Sequence, residues 1–579
     1  MKKFFILAIL AAALLLVLCS CNIPEITLPT AAPTDSIDTP TETETSTETE
    51  APTEPHRDPD EMFKFKKLEQ GYAVSGIVDE SMTEFIIPAV YKDLPVIAID
   101  DKAFLDCKTV KSVVMPDSVL TIGESAFEGC KNLESVTLSS SLTTIKKSAF
   151  YWCASLTEIA MPSTVDYVGQ LAFKSCSKLS AVTLSDNITI IGDCAFEECA
   201  KIKNITLPSK LTNLGNGAFR GCSSLRSIAI PGELSMLRKE TFANCSNLLT
   251  VSMFNSSIKS IDDETFLNCT SLEHIKLPVS LTHLGIKAFK GCSMALVEEN
   301  GIVYVDTWAL DHTSEEVEGV VTFRDGTTGI GAEIFLDQKK ITEVKMPDTV
   351  ITISDSAFDG CVGITKINMP KSLINLRSKA LMDCTSITEL KFGAALKNVS
   401  KDALGNLKSL ESISVDYANI VFKDEDNCLI DLSTTTLVRA CNDSVIPGYV
   451  TVIGDYAFSG CTKITSINIP ESVCEIKSYA FSECGKLTMI ILPESITVLD
   501  EGVFFKCEDL AIATIRGKLT MVKPLCFAFC ESLYTISVEE LTVEEWEGAI
   551  EAANWDYKSG AYIILLANDE TVMKPLNKA

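Results

Sequence analysis

A phenylalanine recurs every 23 residues along most of this chain, and that interval limits what it can fold into. Phe104, Phe127, Phe150, Phe173, Phe196, Phe219 and Phe242 are each 23 residues apart. Phe266 and Phe289 continue after one inserted residue, and Phe335 follows two periods later. Phe358, Leu381 and Leu404 come next, and after a longer break Phe458, Phe481, Phe504 and Phe527, giving 17 units. A unit of this length cannot bury its own apolar face. Stacked neighbours bury a continuous core, so the period predicts a solenoid that grows by adding coils.

The rest of the unit follows the same interval. Fifteen cysteines stand three residues after a ladder residue, among them Cys130, Cys153 and Cys176, with Gln338 and Leu407 at the two exceptions. Next comes an apolar triplet such as Leu133, Val136 and Leu138, whose spacing predicts a short strand with inward apolar side chains. A second apolar pair, Leu142 and Ile145, often leads into Gly. The Ala-Phe-x-x-Cys segment is too short for a regular helix and predicts one helical turn that returns the chain across the opposite face. Parallel strands about 4.8 Å apart would spread 17 coils over roughly 80 Å.

The motif Ala-Phe-x-x-Cys-x-x-Leu-x-x-Ile-x-Leu-Pro, preceded by Ile-Gly, closely resembles the BspA-type leucine-rich repeat of bacterial and protist surface proteins. The resemblance covers residues 63–565. It implies a right-handed, β-rich leucine-rich-repeat solenoid with a parallel sheet on its concave face and short helical turns opposite. Residues 63–103 are similar to that family's N-terminal cap, 104–540 form the array, and 541–579 hold a closing segment around Asn554-Trp555-Asp556 and a tail. Two islands, near 297–330 and 416–446, interrupt the ladder and read as β-hairpins in place of a coil's return segment.

Ahead of the repeats, Lys2 and Lys3 precede an apolar run from Phe4 to Leu18, which reads as a signal-peptide core. The run ends in Leu18-Cys19-Ser20-Cys21. This looks like the lipobox of bacterial lipoproteins, which implies cleavage after residue 21's predecessor and diacylglyceryl attachment to Cys21. Residues 22–62, rich in Thr, Pro and Glu and free of Lys, cannot bury enough apolar surface to fold. They read as an extended stalk reaching at most roughly 130 Å. The expected location is therefore extracytoplasmic, with a monomeric protein lipid-anchored to the cell membrane or outer membrane and exposed at the surface.

The formal net charge of −28 argues against nucleic acid as a partner, since phosphate binding needs clustered Lys and Arg. A secreted chain with 22 cysteines invites a disulfide reading, but 15 of them share one structural position, which suits a buried column of free thiols. No Cys-x-x-Cys, His-Glu-x-x-His, Gly-x-Ser-x-Gly or Walker loop occurs, so no catalytic residue, metal site or cofactor is expected. Gly215-Asn216-Gly217 falls at a repeat turn, and Asp424-Glu425-Asp426-Asn427 lacks the glycine and closing glutamate of a calcium loop.

The family resemblance makes the outward strand positions the contact surface. The middle one is Thr137, Ala160, Thr183, Thr206, Ala229 and Ser252, then Lys276, Lys345 and Lys391, and later Asn468, Ile491, Thr514 and Ser537. The lysine row suggests an acidic partner, either a protein or an anionic glycan of a host or bacterial surface. The expected function is cell-surface adhesion or recognition. The alternatives are a structural envelope protein and a substrate-capture lipoprotein.

Overall fold

The computed structural model describes residues 58–253, 256–293, 297–538, 541–550, 554–559, 562–565 and 571–574. Cys21 and the stalk up to residue 57 lie outside the described residues. The described residues begin inside the segment assigned to the stalk. Asp58 caps a single helical turn, Pro59–Met62, and the Tyr91 hydroxyl donates to the Asp60 carboxylate.

Each coil has three sides. The first is a strand such as Ser135–Thr137, which pairs in parallel with Ser112–Val114 at a shift of one period. The second is a two-residue strand such as Thr144–Ile145, paired with Thr121–Ile122 before it and Tyr167–Val168 after it. The pair Leu142 and Ile145 therefore belongs to a second strand line, which the sequence shows only as an apolar pair. Ile145 enters the core from that strand, and Leu142 from the turn before it.

The third side corrects the expectation of one helical turn. Between Gly123 and Cys130 the backbone makes three successive turns, in which Ala126, Glu128 and Cys130 donate to Gly123, Ser125 and Phe127. Ser125 and Gly129 have positive φ, 54° and 74°, two residues before and after Phe127. That left-handed conformation at the third position of a turn frees the alternate N–H groups from any helix ladder. They point along the solenoid instead: Ser125, Phe127 and Gly129 donate to Lys147, Ala149 and Tyr151 of the next coil at 2.8–3.0 Å. Stacking thus completes the hydrogen bonds of the return segment, and an isolated coil would leave them open.

The ladder rings lie inside this wall. Phe127 and Phe150 are fully buried, their ring centroids 5.1 Å apart and their planes within 3° of parallel, and Phe173 follows at 5.2 Å. Beside them, the thiols of Cys130, Cys153 and Cys176 donate to the carbonyls of Phe104, Phe127 and Phe150 at 3.0–3.2 Å. Burial pushes the Cys176 thiol up to about 12.

Glycine is required where coils approach most closely. At Gly215 a Cβ would stand 2.4 Å from the Asp193 nitrogen, and Gly217 has a φ of 58°. The Gly-Asn-Gly sequence is thus spent on the turn, where Asn216 N–H also donates to the Asp193 carboxylate at 2.7 Å.

At the N-terminal end, Phe85 meets Phe104 edge-on and Phe63 packs against Phe85. At the other end, the helix Val543–Ala549 is opened by a capping box between Thr542 and Glu545. It brings buried Trp546 against Trp555, which packs edge-on against Phe527. The islands are three-stranded antiparallel meanders, Val297–Glu299, Ile302–Val305 and Trp308–His312 in the first, and Phe422–Glu425, Cys428–Asp431 and Thr436–Ala440 in the second. Their last strands rejoin the second strand line, in parallel with Gly329–Ile330 and Val452–Ile453. The apolar core divides at these islands. Trp308 joins the cluster before the first island, and Tyr304 the cluster after it.

Candidate binding surface

The first strand line sorts its side chains by alternation. Along Glu158–Ala160, Ile159 is buried while Glu158 and Ala160 are exposed, and Ser227–Ala229 and Thr250–Ser252 repeat the pattern. Thr137, Ala160, Thr183, Thr206, Ala229, Ser252, Lys276, Lys345, Lys391, Asn468 and Ile491 are all exposed. Thr514 and Ser537, near the C-terminal end, are half-buried. This line of side chains contributes little to the core, while the parallel pairing beneath fixes its spacing.

Lys276, Lys345 and Lys391 share this line, but not adjacent coils. The register aligns Thr322 with Lys345 and Glu343 with Lys366, which places Asn368 beside Lys345 one coil before Lys391. Two of the three are also engaged. Lys345 Nζ lies 3.8 Å from Glu343, and Lys391 Nζ 2.7 Å from Glu389, each carboxylate two residues earlier on the same strand. Lys276 has no ion-pair partner among the described residues. The expected basic row is therefore a checkered face of lysines and glutamates on which Lys276 and Lys366 have no ion-pair partner among the described residues. Reading only the middle outward position hides the glutamates that share the face.

Further along the same line lies a feature the sequence reading passed over. Ser466, Asn468, Met489, Ile491 and Arg516 line a depression of about 270 Å³. Met489 and Ile491 are exposed, and Arg516 pairs with Glu471 at 3.3 Å. Its signal was present as two apolar residues at outward positions of one strand.

The return side carries ion pairs of its own. Glu197, 4% exposed, receives Lys174 at 2.9 Å and Arg220 at 2.5 Å, and Arg220 also reaches Glu240. Burial alone would raise the Glu197 carboxyl, but the bonds from Lys174 and Arg220 hold it below the usual glutamate value. These ties link successive coils.

Nothing in the described residues gathers three or more metal-ligating side chains. The acidic run at the second island is occupied by the fold: Asp424 accepts from Val415 N–H at 3.2 Å, and Asn427 accepts from Ile413 N–H at 3.2 Å. No helix among the described residues is long and apolar enough to cross a membrane.

The family described as BspA type leucine-rich repeat region matches residues 97–213, 171–295, 318–427 and 439–548. Similar solved structures include a leucine-rich repeat protein from Bacteroides ovatus, 19% identical over 87% of this chain and 100% of that one, with a TM-score of 0.34. A leucine rich cell surface protein from Faecalibacterium prausnitzii is 19% identical over 87% of this chain and 100% of that one, with a TM-score of 0.29. A leucine-rich repeat protein from T. pallidum is 25% identical over 41% of this chain and 89% of its own, with a TM-score of 0.29. No curated protein matches the chain. With its repeats matched over well more than half their length, the chain belongs to the BspA type leucine-rich repeat family.

Proposed function

We propose that this protein is a cell-surface recognition scaffold that binds a protein or glycan partner through the outward face of its first strand line and has no catalytic role. The observation that carries the reading is the alternation along that line. Inward side chains such as Ile159, Ile228 and Val251 are buried, while Thr137, Ala160, Thr183, Thr206, Ala229, Ser252 and Ile491 stand exposed at the outward positions. A surface that the fold leaves free at regular spacing suits an extended partner.

The lipobox-like Leu18-Cys19-Ser20-Cys21 and the Thr-, Pro- and Glu-rich run that follows it support display outside the cell. Lys276 and the depression beside Ile491 give this face one cationic and one apolar contact point.

The test is to probe arrays of host-matrix proteins, bacterial surface proteins and anionic glycans with the intact chain, then with a variant carrying Ala160→Arg, Thr183→Arg and Ala229→Arg. Saturable binding that the three arginines weaken by about tenfold supports the reading. Saturable binding unchanged by these arginines and by Lys276→Glu removes the strand face as the contact. Absence of any bound component favours a structural envelope role, and capture of soluble oligosaccharide alone favours substrate capture.

A further inference from the structure

A column of thiols runs from Cys107 to Cys292, one to each coil, and stops at the first island. The thiols from Cys130 to Cys269 are buried, while Cys107 and Cys292, at the two ends, are half-buried. From Cys130 onward each one donates to the carbonyl of the preceding coil's ladder ring at 3.0–3.2 Å.

The two ends differ. Cys107 lies against the Thr109 hydroxyl, 3.4 Å away on its own coil. Cys292 bonds back to the Phe266 carbonyl at 3.1 Å, on the coil that carries Cys269. Those two coils are held in close register. Asn268 N–H donates to the Lys290 carbonyl at 2.7 Å, and the Phe266 and Phe289 rings stand 5.3 Å apart. Cys269 and Cys292 occupy equivalent positions, three residues after those rings. A separation of one coil falls inside the range of about 4.4–6.8 Å between Cα atoms that a disulfide spans. Beyond Cys292 the next cysteine in the chain is Cys361, so its thiol neighbour lies on one side alone.

The protons of this pair are divided unequally. The Cys269 thiol turns toward the Cys292 sulfur, and that bond holds Cys292 below the ordinary thiol value against the effect of burial. The same bond, with burial, pushes Cys269 well up. Inside the column burial dominates, and it raises Cys222 as it does its neighbours. A half-buried nucleophilic sulfur therefore sits beside a protonated one in the last two coils before the island.

We propose that Cys292 is an oxidation site for hydroperoxides, with Cys269 as the thiol that resolves it into a disulfide. The Cys292 thiolate attacks the terminal oxygen of the peroxide. The O–O bond breaks, the sulfur takes up the hydroxyl group as a sulfenic acid, and the other oxygen leaves and takes a proton from water. The Cys269 sulfur then bonds to the Cys292 sulfur as the S–O bond breaks, and the Cys269 proton departs with the hydroxyl as water. Two electrons pass from the two thiols to the peroxide. The interior pairs have no half-buried member to start the reaction, and Cys107 faces Thr109 instead of a second thiol. The product ties the last two coils before the island to each other. The site is separate from the strand face, so either can fail without the other.

The experiment treats the intact chain with increasing hydrogen peroxide, blocks the remaining thiols in denaturant and maps the peptides by mass spectrometry. The expected result is a linked Cys269–Cys292 peptide pair, reversed by dithiothreitol, at doses that leave Cys153 to Cys245 free. In Cys269→Ser the link is lost and dimedone traps a sulfenic acid on Cys292. In Cys292→Ser the Cys269 thiol stays unoxidised at the same doses. Thermal unfolding checks that both variants fold, and the linked pair in the parent chain decides the case without them. The proposal is overturned if Cys292 is still a free thiol at doses that oxidise the exposed Cys474. It is equally overturned if Cys292 is oxidised while Cys269 stays free, or if links form as readily between interior cysteines.

Discussion

The thiol of Cys153 donates to the carbonyl of Phe127, 3.1 Å away in the preceding coil. In the regular coils from Phe127 to Phe242, the carbonyl one residue before the ladder ring accepts from the preceding coil, while the ring residue's own carbonyl faces inward, where the next coil's cysteine meets it. A cysteine at this position is therefore both a small buried hydrophobe and a donor. Cys153→Ala should cost about 1–2 kcal/mol, because it removes packing and one of the two hydrogen bonds to the Phe127 carbonyl, which keeps the Cys130 N–H. The fall in denaturation midpoint measures it. An unchanged midpoint would show that neither the packing of the thiol nor its hydrogen bond contributes.

The same burial governs reactivity. Only the thiolate is nucleophilic. Burial, followed by the neighbouring thiols, raises Cys153 well above the ordinary thiol range, and burial pushes Cys245 up to about 12. Cys474 is exposed. In native protein at pH 8, iodoacetamide should label Cys474 first and leave the row from Cys130 to Cys245 unmodified until the chain unfolds. Mass spectrometry of the labelled protein locates the adducts.

Replacing a ladder ring tests the column itself. Phe150 is fully buried between two parallel rings. Phe150→Ala should destabilise by about 3–5 kcal/mol. Phe150→Leu should cost less, about 1–2 kcal/mol, as Leu381 and Leu404 already occupy rungs. Denaturant unfolding of the two variants gives the ranking, and equal losses would contradict it.

Glu197 gives the array an acid-sensitive tie. Its carboxyl titrates below the ordinary glutamate value in the folded chain, so its contribution is complete above the unfolded-state value and is lost as pH falls through the folded one. Glu197→Gln should cost about 2 kcal/mol at neutral pH, discounted because Lys174 and Arg220 are partly exposed. The difference from the parent should shrink below pH 4, which unfolding curves across pH would record.

On the strand face the lysines should not act equally. An anionic ligand must compete with Glu343 for Lys345 and with Glu389 for Lys391, whereas Lys276 is unpaired among the described residues. Lys276→Glu should weaken binding of an acidic partner more than Lys345→Glu does, and raised salt should weaken it further. Titrations of the single variants decide the order.

Much of this architecture is legible in the sequence because one interval governs it. The spacing of Phe127, Phe150 and Phe173 specifies stacking, and the alternation around Val136 specifies the first strand. The return segment was less legible. Ala-Phe-x-x-Cys has the local spacing of a helical turn, and its tandem turns depend on hydrogen bonds to coils 23 residues away. The checkered charge of the strand face was visible only once Glu343 and Glu389 were placed beside Lys345 and Lys391. The islands were legible as hairpins standing where a return segment would be, but the groove of about 340 Å³ between the Phe289 and Phe335 coils was not. It arises from the continuation of Trp308–His312 where a return segment would stand.

Spin labels at Thr137 and Thr183 test the stacked-coil account most directly. Both positions are exposed on the first strand line and lie two periods apart. Two parallel-strand spacings give a backbone separation of about 10 Å, so strong dipolar broadening is expected in the intact chain, with allowance for the label arms. A separation beyond about 25 Å would contradict the account, because residues two coils apart on one parallel ladder cannot stand so far from each other.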